Sequence, residues 1–323
     1  MCSGKCDPPL RTKPGSILVF ILDLDRSTET MRAVNSVLVS GADDVAVWVH
    51  VNGSNAEHTN RIMHSFANED KVRVSRTDRN LGYAGGNNYI LTTLKQSNAD
   101  YQYILLLNND ARLEPDTIPK LRSVLTSNVD IGAVGPRIMQ HEGNGIIASD
   151  GAGTCAWIMQ QYFRNSGKQC ENCPAPPPFA VPFISGACML MRTDVFMKLD
   201  GFDEGFFAYF EDWDLCLRMH KIGYRCLHVA DAVAWHVGSL TTGADSLLYH
   251  FLMTRNRYLM ACKHLPLHIF VFVFLPYFMV SRIACKMLLL LLKKRIQGIK
   301  GILLALAWIC APAQSKPGFW PIP

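Results

Sequence analysis

The sequence predicts an α/β protein: a mostly parallel central sheet flanked by helices, followed by an apolar helical tail. Strand-like and helix-like segments alternate from residue 16 to residue 125. Polar clusters recur at the carboxyl ends of the strand-like runs. The last third is largely apolar, punctuated by prolines and scattered basic residues.

Taken in order, residues 16–22 are a short apolar run of strand length, and residues 28–39 carry apolar positions at helical spacing. Residues 45–51 are almost continuously apolar, as expected of a strand covered on both faces. A helix over 56–67, a strand over 71–76 and a helix over 84–95 follow. Residues 103–107 form the fourth strand, and 114–125 a helix with Pro115 in its first turn. Repeated βα units of this kind imply a parallel sheet with helices on both faces.

After Gly132 the pattern changes. Residues 140–181 are rich in Gly, Asn, Cys and Pro and read as a long flexible loop. Order resumes with a strand over 182–192 that carries Ser185-Gly186, then a helix over 210–221 and strand structure over 225–235. In the tail, residues 265–281, 288–292 and 302–311 are apolar, and Lys293-Lys294-Arg295 follows the second block. No uninterrupted run reaches the ~20 residues of a comfortable bilayer span. Helices lying in the membrane interface, their basic residues on anionic headgroups, are therefore the expectation, with a span around 265–292 as the alternative.

The 323 residues suffice for a large core, and 49% apolar with 18% charged residues indicates a folded body. A net charge of +5, with basic residues scattered outside the tail, gives no reason to invoke nucleic acid. The 11 cysteines are dispersed and odd in number, which suits reduced thiols better than a disulfide framework. Cys170 and Cys173 form a CxxC pair and Cys2 and Cys6 lie near the start; an incidental arrangement is expected over a zinc site. The first residues lack the apolar core of a secretory signal, so the body is expected in the cytoplasm.

Four polar clusters end the strand-like segments: Asp23-Leu-Asp25-Arg26, Asn52-Gly-Ser54, Arg79 to Asn88, and Asn108-Asn109-Asp110. In a doubly wound sheet these ends share one rim, so the clusters converge on one crevice. Tyr103-Ile-Leu-Leu-Leu-Asn-Asn-Asp110 is the most informative stretch, because a carboxylate flanked by amides there suits a divalent cation carrying a diphosphate. Gly82, Gly85 and Gly86 permit close backbone approach at a helix start, where free N–H groups favour an anion. Their spacing is not a dinucleotide fingerprint. Asp212 falls on the apolar side of the first turn of the 210–221 helix, whose dipole favours its ionised form. Asp214 and Arg218, four apart, can pair. His236 follows the last strand, where a neutral imidazole could join Asp110 on a metal.

These residues resemble the inverting family 2 glycosyltransferases of the GT-A fold, in particular the rhamnosyltransferase-like branch acting on bacterial surface polysaccharides. The matching segments are Asn52-Gly-Ser54, Asn80-Leu-Gly-Tyr-Ala-Gly-Gly-Asn-Asn88, Leu105-Leu-Leu-Asn-Asn-Asp110, Ser185-Gly-Ala-Cys-Met-Leu-Met-Arg192, the stretch from Gly201 to Arg218, and His236. Order and spacing agree across about residues 16 to 260. The resemblance implies that Asp110, with His236, binds Mg²⁺ or Mn²⁺, and that Asp212 is the catalytic base. It assigns the nucleotide-sugar to Asp23, Asp25, Asn52, Ser54, Asn80, Gly82, Gly85, Gly86, Asn87, Asn108 and Asn109. The acceptor and sugar fall to Ser185, Gly186, Glu211, Trp213 and Asp214.

The implied plan is a tail over 1–15, a GT-A domain over 16–260 and a membrane-associated helical region over 261–323. Within the domain, 16–139 is the nucleotide-binding half, 140–181 the loop and 182–243 the acceptor and catalytic half. The implied reaction moves a sugar, rhamnose among the candidates, from a dTDP- or UDP-sugar to a glycan or lipid-linked acceptor. It is placed at the cytoplasmic face of the inner membrane. Two departures leave the nucleobase open: relatives usually carry an aspartate where this chain has Val51, and Thr-Tyr-Asn where it has Asp23-Leu24-Asp25. The rival classes are a nucleotidyltransferase, which the Glu211-Asp-Trp-Asp214 helix fits poorly, and a non-catalytic membrane-anchored scaffold. Donor sugar, acceptor and oligomeric state are not legible.

Overall fold

The structure, a computed structural model, describes residues 15–40, 42, 44–97, 99–140, 144–236 and 246–311. Cys2, Cys6, the 1–14 segment and residues 237–245 lie outside the described residues. The chain divides into two compact units.

The first unit holds residues 1–153, 163–202 and 212–238. Its elements run β1 (Ile17–Asp23), α1 (Ser27–Leu38), β2 (Val45–Asn52), α2 (Ala56–Ser65), β3 (Val72–Thr77), α3 (Gly82–Gln96) and β4 (Tyr103–Leu107). Then come β5 (Ala111–Leu113), α4 (Thr117–Thr126), β6 (Ile131–Met139) and β7 (Ile147–Ser149), followed in the chain by a small ribbon of β8 (Ala152–Cys155) with β9 (Gln160–Phe163) whose residues 154–162 belong to the second unit. The rest is β10 (Phe179–Val181), β11 (Cys188–Arg192), α5 (Thr193–Lys198), α6 (Glu211–Lys221) and β12 (Arg225–His236).

The main sheet has the order β10-β12-β6-β11-β4-β1-β2-β3, with β5 and β7 added on β12 and β6. The run from β4 to β3 is parallel, so the ends of β1 to β4 share one rim, as expected. Every residue of β2 is buried, which explains its unalternating apolar sequence. α1 buries Thr30, Ala33, Val34 and Val37, a stripe at helical spacing against the sheet. Asn55 caps α2 by accepting the His58 N–H at 3.1 Å.

Three expectations are corrected. β6 was not among the expected strands, although all nine of its residues are buried and it pairs parallel with β12; Gly132, Gly135 and Pro136 disguise it as loop. Ser185 and Gly186 lie ahead of β11 rather than in it, because the Gly186 N–H and C=O bond to side chains instead of a ladder. The segment 140–181, expected as a flexible loop, holds short strands within its described residues 144–181. The cause is a buried cluster: Arg137 donates to both Asp150 oxygens at 3.0 Å, and His228 Nε2 and Asn165 Nδ2 meet the same carboxylate at 3.0 and 2.9 Å. The segment thereby satisfies a buried charge and becomes ordered.

The second unit holds residues 154–162, 203–211 and 239–323. Its helix α7 (Leu247–His264) packs on the helix Ile296–Cys310, and Gly301 makes the close approach: a Cβ there would sit 2.4 Å from the Leu247 carbonyl oxygen. The expected boundary at residue 260 falls inside α7, whose contacts group it with the C-terminal helices. Between them runs one helix, Leu267–Leu292, 26 residues long and apolar enough to cross a membrane. Its bounds match the span around 265–292 given as the alternative, with Pro276 inside it. The helix continues through Pro276 because wider π-helical windings at Phe270–Phe274 and Phe278–Cys285 flank it and re-route the hydrogen bonds. Phe272, Met279, Val280, Leu288 and Leu292 are exposed along it.

Candidate active site

Each polar cluster divides into residues that build the rim and residues that face the crevice. At the end of β1, Asp23 is fully buried; it accepts the Thr30 and Ser54 hydroxyls, each at 2.6 Å. Its carboxylate is thus committed to tying β1 to the turn after β2. Asp25 is exposed, with φ +52°; its N–H donates to Ser54 Oγ and its carboxylate accepts the Asn55 N–H.

Asn52 ends β2 and locks the glycine-rich loop. Its Oδ1 accepts the Leu81 N–H at 2.9 Å, and its Nδ2 donates to the Gly82 carbonyl at 3.0 Å and to Asn80 Oδ1 at 3.2 Å. Asn80 Oδ1 also accepts the Gly82 N–H at 2.8 Å. The two turns nearly touch at Gly53, where an added Cβ would lie 2.4 Å from the Asn80 nitrogen. Gly85, Gly86 and Asn87 are buried in the first turns of α3, Asn87 bonding the Tyr83 carbonyl. A Cβ at Gly86 would sit 2.8 Å from Leu22 Cδ1, so this glycine serves the packing of α3 on β1.

After β4 the three polar residues part company. Asn109 is buried and donates to Thr30 Oγ1, a structural contact. Asn108 and Asp110 turn to the last residue of β12: His236 Nε2 lies 3.1 Å from Asn108 Nδ2 and 3.0 Å from Asp110 Oδ1. Register explains the meeting, since β12 pairs with β5 so that His236 faces Ala111, next to Asp110. A carboxylate oxygen and an imidazole nitrogen beside an amide form a donor set suited to a divalent cation. Among the described residues no group of three or more His, Cys, Asp or Glu side chains is arranged so that it could hold a metal ion. Cys173 is buried with Cys170 packed against it, and the Cys170 Sγ takes a bond from Arg137.

The Asp212 carboxylate sits in the first turn of α6. Its Oδ2 accepts the Gly186 N–H at 3.0 Å and its Oδ1 the Trp213 N–H at 2.7 Å. Burial pushes its pKa above the ordinary carboxylate value, against the pull of these N–H groups. The turn at Gly186 is fixed from two sides: Tyr83 donates its hydroxyl to the Gly186 carbonyl at 2.7 Å, and the Asn108 N–H donates to the Ala187 carbonyl at 3.0 Å. Asp212 is therefore linked through residues 186–187 both to the glycine-rich loop and to the end of β4. Ser185 is half-buried in that turn and accepts the Ala187 N–H.

The neighbours of Asp212 do not face the crevice. Trp213 is 1% exposed and stacks on Phe183 at 5.6 Å. Asp214 is fully buried and accepts Arg218 Nε at 2.7 Å, while Arg218 also donates to the Leu199 and Gly201 carbonyls. Both residues, assigned to the acceptor and sugar by the resemblance, are packed into the support of α6. Glu211 is buried at the first position of the helix.

Sequence reasoning missed the Tyr83 link, although Tyr83 stands inside the quoted motif. It also missed the Arg137–Asp150–His228 cluster, whose members are too far apart in sequence to leave a signal. A third omission, Arg255-Asn256-Arg257 in α7, had one: three successive polar residues inside an apolar helix, all buried.

A mixed, mostly parallel sheet with its polar clusters at one rim defines a GT-A-like α/β fold. The chain belongs to the glycosyltransferase like family 2, whose model matches residues 14–258. It is similar to the N-acetylglucosaminyl-diphospho-decaprenol L-rhamnosyltransferase of Mycobacterium tuberculosis, 27% identical over 230 residues, covering 66% of this chain and 73% of that protein. Among solved structures it is similar in fold to GalNAc-T7 with UDP, GalNAc and Mn²⁺ (TM-score 0.57, 19% identity, 68% of this chain and 43% of that one). It is also similar to the mannosyltransferase PcManGT of Pyrobaculum calidifontis with GDP-Man and Mn²⁺ (TM-score 0.56, 13% identity, 95% and 79%).

Proposed function

We propose that this glycosyltransferase is inverting and metal-dependent. In this reading it moves a sugar, with rhamnose the foremost candidate, from a dTDP- or UDP-sugar to a hydroxyl of a lipid-linked glycan at the cytoplasmic membrane face. The carrying observation is the Asp212 carboxylate, oriented by the Gly186 and Trp213 N–H groups and joined through one turn to the strand end that bears Asp110. The similar mycobacterial protein, whose name gives a decaprenol-linked diphospho-sugar as acceptor, supports the substrate class. The exposed apolar helix Leu267–Leu292 supports a membrane-bound acceptor.

Asp212 takes the proton of the acceptor hydroxyl as that oxygen attacks the anomeric carbon, and its raised pKa makes it a stronger base than an exposed carboxylate. Attack opposite the departing diphosphate inverts the anomeric centre, with no covalent sugar intermediate required. Asp110 and His236 would hold Mg²⁺ or Mn²⁺, which, when bound, neutralises charge on the leaving diphosphate. The N–H groups at the start of α3 favour the same anion, and the exposure of Asp25 and Asn80 supports a part for them in holding the nucleoside.

The test is product analysis of the full-length protein with dTDP- and UDP-sugars, Mn²⁺ and a lipid-linked N-acetylglucosamine acceptor. Free nucleoside diphosphate with an inverted glycoside is expected. Pyrophosphate as product would move the chain to the nucleotidyltransferases, and no product from any donor would leave a scaffold role.

A further inference from the structure

The segment that leads into α6 is the most strained stretch of backbone described. Phe207, Tyr209 and Phe210 have φ of +66°, +69° and +76°, a region that strains a side-chain-bearing residue. Three such residues, ending two positions before Asp212, persist only if something holds them.

What holds them is α7. Asn256 is wholly buried, and its Nδ2 donates to the carbonyls of Phe206, Ala208 and Tyr209 at 2.9, 2.8 and 2.8 Å. Arg255 Nη2 donates to the carbonyls of Gly205 and Phe206 at 2.7 and 2.9 Å, and its Nε donates to Asn256 Oδ1 at 2.9 Å. The Arg255 guanidinium also lies over the Phe251 and Trp308 rings. Burial lowers its pKa to about 10, so it stays charged at neutral pH. Arg257 completes the grip with its guanidinium 5.4 Å from the Phe210 ring centre. Three successive side chains of one helix thus hold residues 205–210.

We infer that Arg255 and Asn256 are positioning residues for the catalytic carboxylate: they clamp the left-handed turn whose continuation is the first turn of α6. The inference rests on the reading of Asp212 as the base. It gives α7 a part in the reaction beyond that of an anchor, because without the clamp the turn relaxes toward ordinary φ values and the entry of α6 shifts with it. The donor-binding residues, Asn52, Asn80 and the glycine-rich loop, are fixed by their own hydrogen bonds and do not depend on this turn.

The experiment compares Asn256→Ala, Arg255→Lys and Asp212→Asn in the full-length protein, measuring kcat, donor KM and nucleotide binding. Asn256→Ala and Arg255→Lys are expected to lose kcat on the order of 10- to 100-fold with donor KM unchanged, the scale of a misplaced catalytic group. Adding Phe207→Gly to Asn256→Ala should recover part of kcat, since glycine adopts this φ without strain. Unchanged kcat in both clamp variants, or equal losses in kcat and donor affinity, overturns the inference. Should Asn256→Ala fail to fold, Arg255→Lys keeps the buried charge and carries the same split alone. An active Asp212→Asn would remove the base itself; an inactive one beside fully active clamp variants would overturn the clamp only.

Discussion

Gly186 gives its backbone N–H to Asp212 Oδ2 at 3.0 Å, while its carbonyl oxygen is held by the Tyr83 hydroxyl. A turn that neither residue's sequence neighbourhood announces therefore aims the carboxylate. Asp212→Asn keeps the shape of the side chain but cannot accept a proton, so kcat should fall by at least ~100-fold while donor binding survives. In the native protein the rate should rise with pH as Asp212 ionises, at a pH above the ordinary carboxylate range because burial has raised its pKa. That acid limb should vanish in the variant. Steady-state kinetics across pH, with nucleotide titration, checks both.

Asp110→Asn removes the charged member of the pair with His236. Nucleoside diphosphate affinity in the native protein should strengthen on adding Mn²⁺, and that strengthening should disappear in the variant. Calorimetric titration with and without Mn²⁺ measures it; an unchanged Mn²⁺ effect would remove Asp110 from the metal.

Asp150 should govern acid stability. Burial raises its pKa, but hydrogen bonds from His228, Arg137 and Asn165 and the guanidinium charge outweigh this, so its carboxyl lies well below the usual range. A depressed folded pKa contributes stability above the unfolded value of about 3.9, and loses it as pH falls through the folded pKa. Asp150→Asn leaves the buried Arg137 charge without its carboxylate counter-charge and should cost about 3–5 kcal/mol near neutral pH. The variant should also show a weaker decline in stability below about pH 4. Urea unfolding at several pH values reads both effects.

Gly53 has φ +83°, and its missing side chain lets the backbone of Asn80 approach. Gly53→Ala should separate the Asn52 turn from the glycine-rich loop and weaken nucleotide binding, with about 1–3 kcal/mol of strain. Nucleotide titration beside a thermal melt checks this; unchanged binding would show that the two turns act independently.

The exposed basic run Lys293-Lys294-Arg295 follows the apolar helix. Replacing all three with Gln should weaken binding to anionic vesicles by roughly 100-fold at low salt, and by less as salt rises. Vesicle flotation measures this, and equal binding to neutral vesicles would assign the contact to the apolar side chains alone.

The rim of the sheet was legible in the sequence because its signals are local. A buried parallel strand reads as a continuous apolar run, and the polar residues that interrupt it, from Asp23 to Asp110, mark its end. The family resemblance followed from the same segments, and the family match bears it out. What could not be read is which polar residue faces the crevice. Asp23 and Asp25 are two apart, yet one is spent on Thr30 and Ser54 and the other is exposed; Asn108 and Asn109 are adjacent, yet point to His236 and to Thr30. Strand β6 escaped notice because its glycines and proline read as loop until β11 and β12 supply partners on either side.

The amino-acid order alone thus determined the class of fold and the neighbourhood of the site, through periodicity and turn chemistry that act over a few residues. The tertiary structure decided the orientation of each side chain, the ordering of residues 144–181 around Asp150, and the hold of α7 on the turn before Asp212. Those depend on partners such as Gly186, His228 and Asn256, which lie tens of positions away and meet only when the chain closes upon itself.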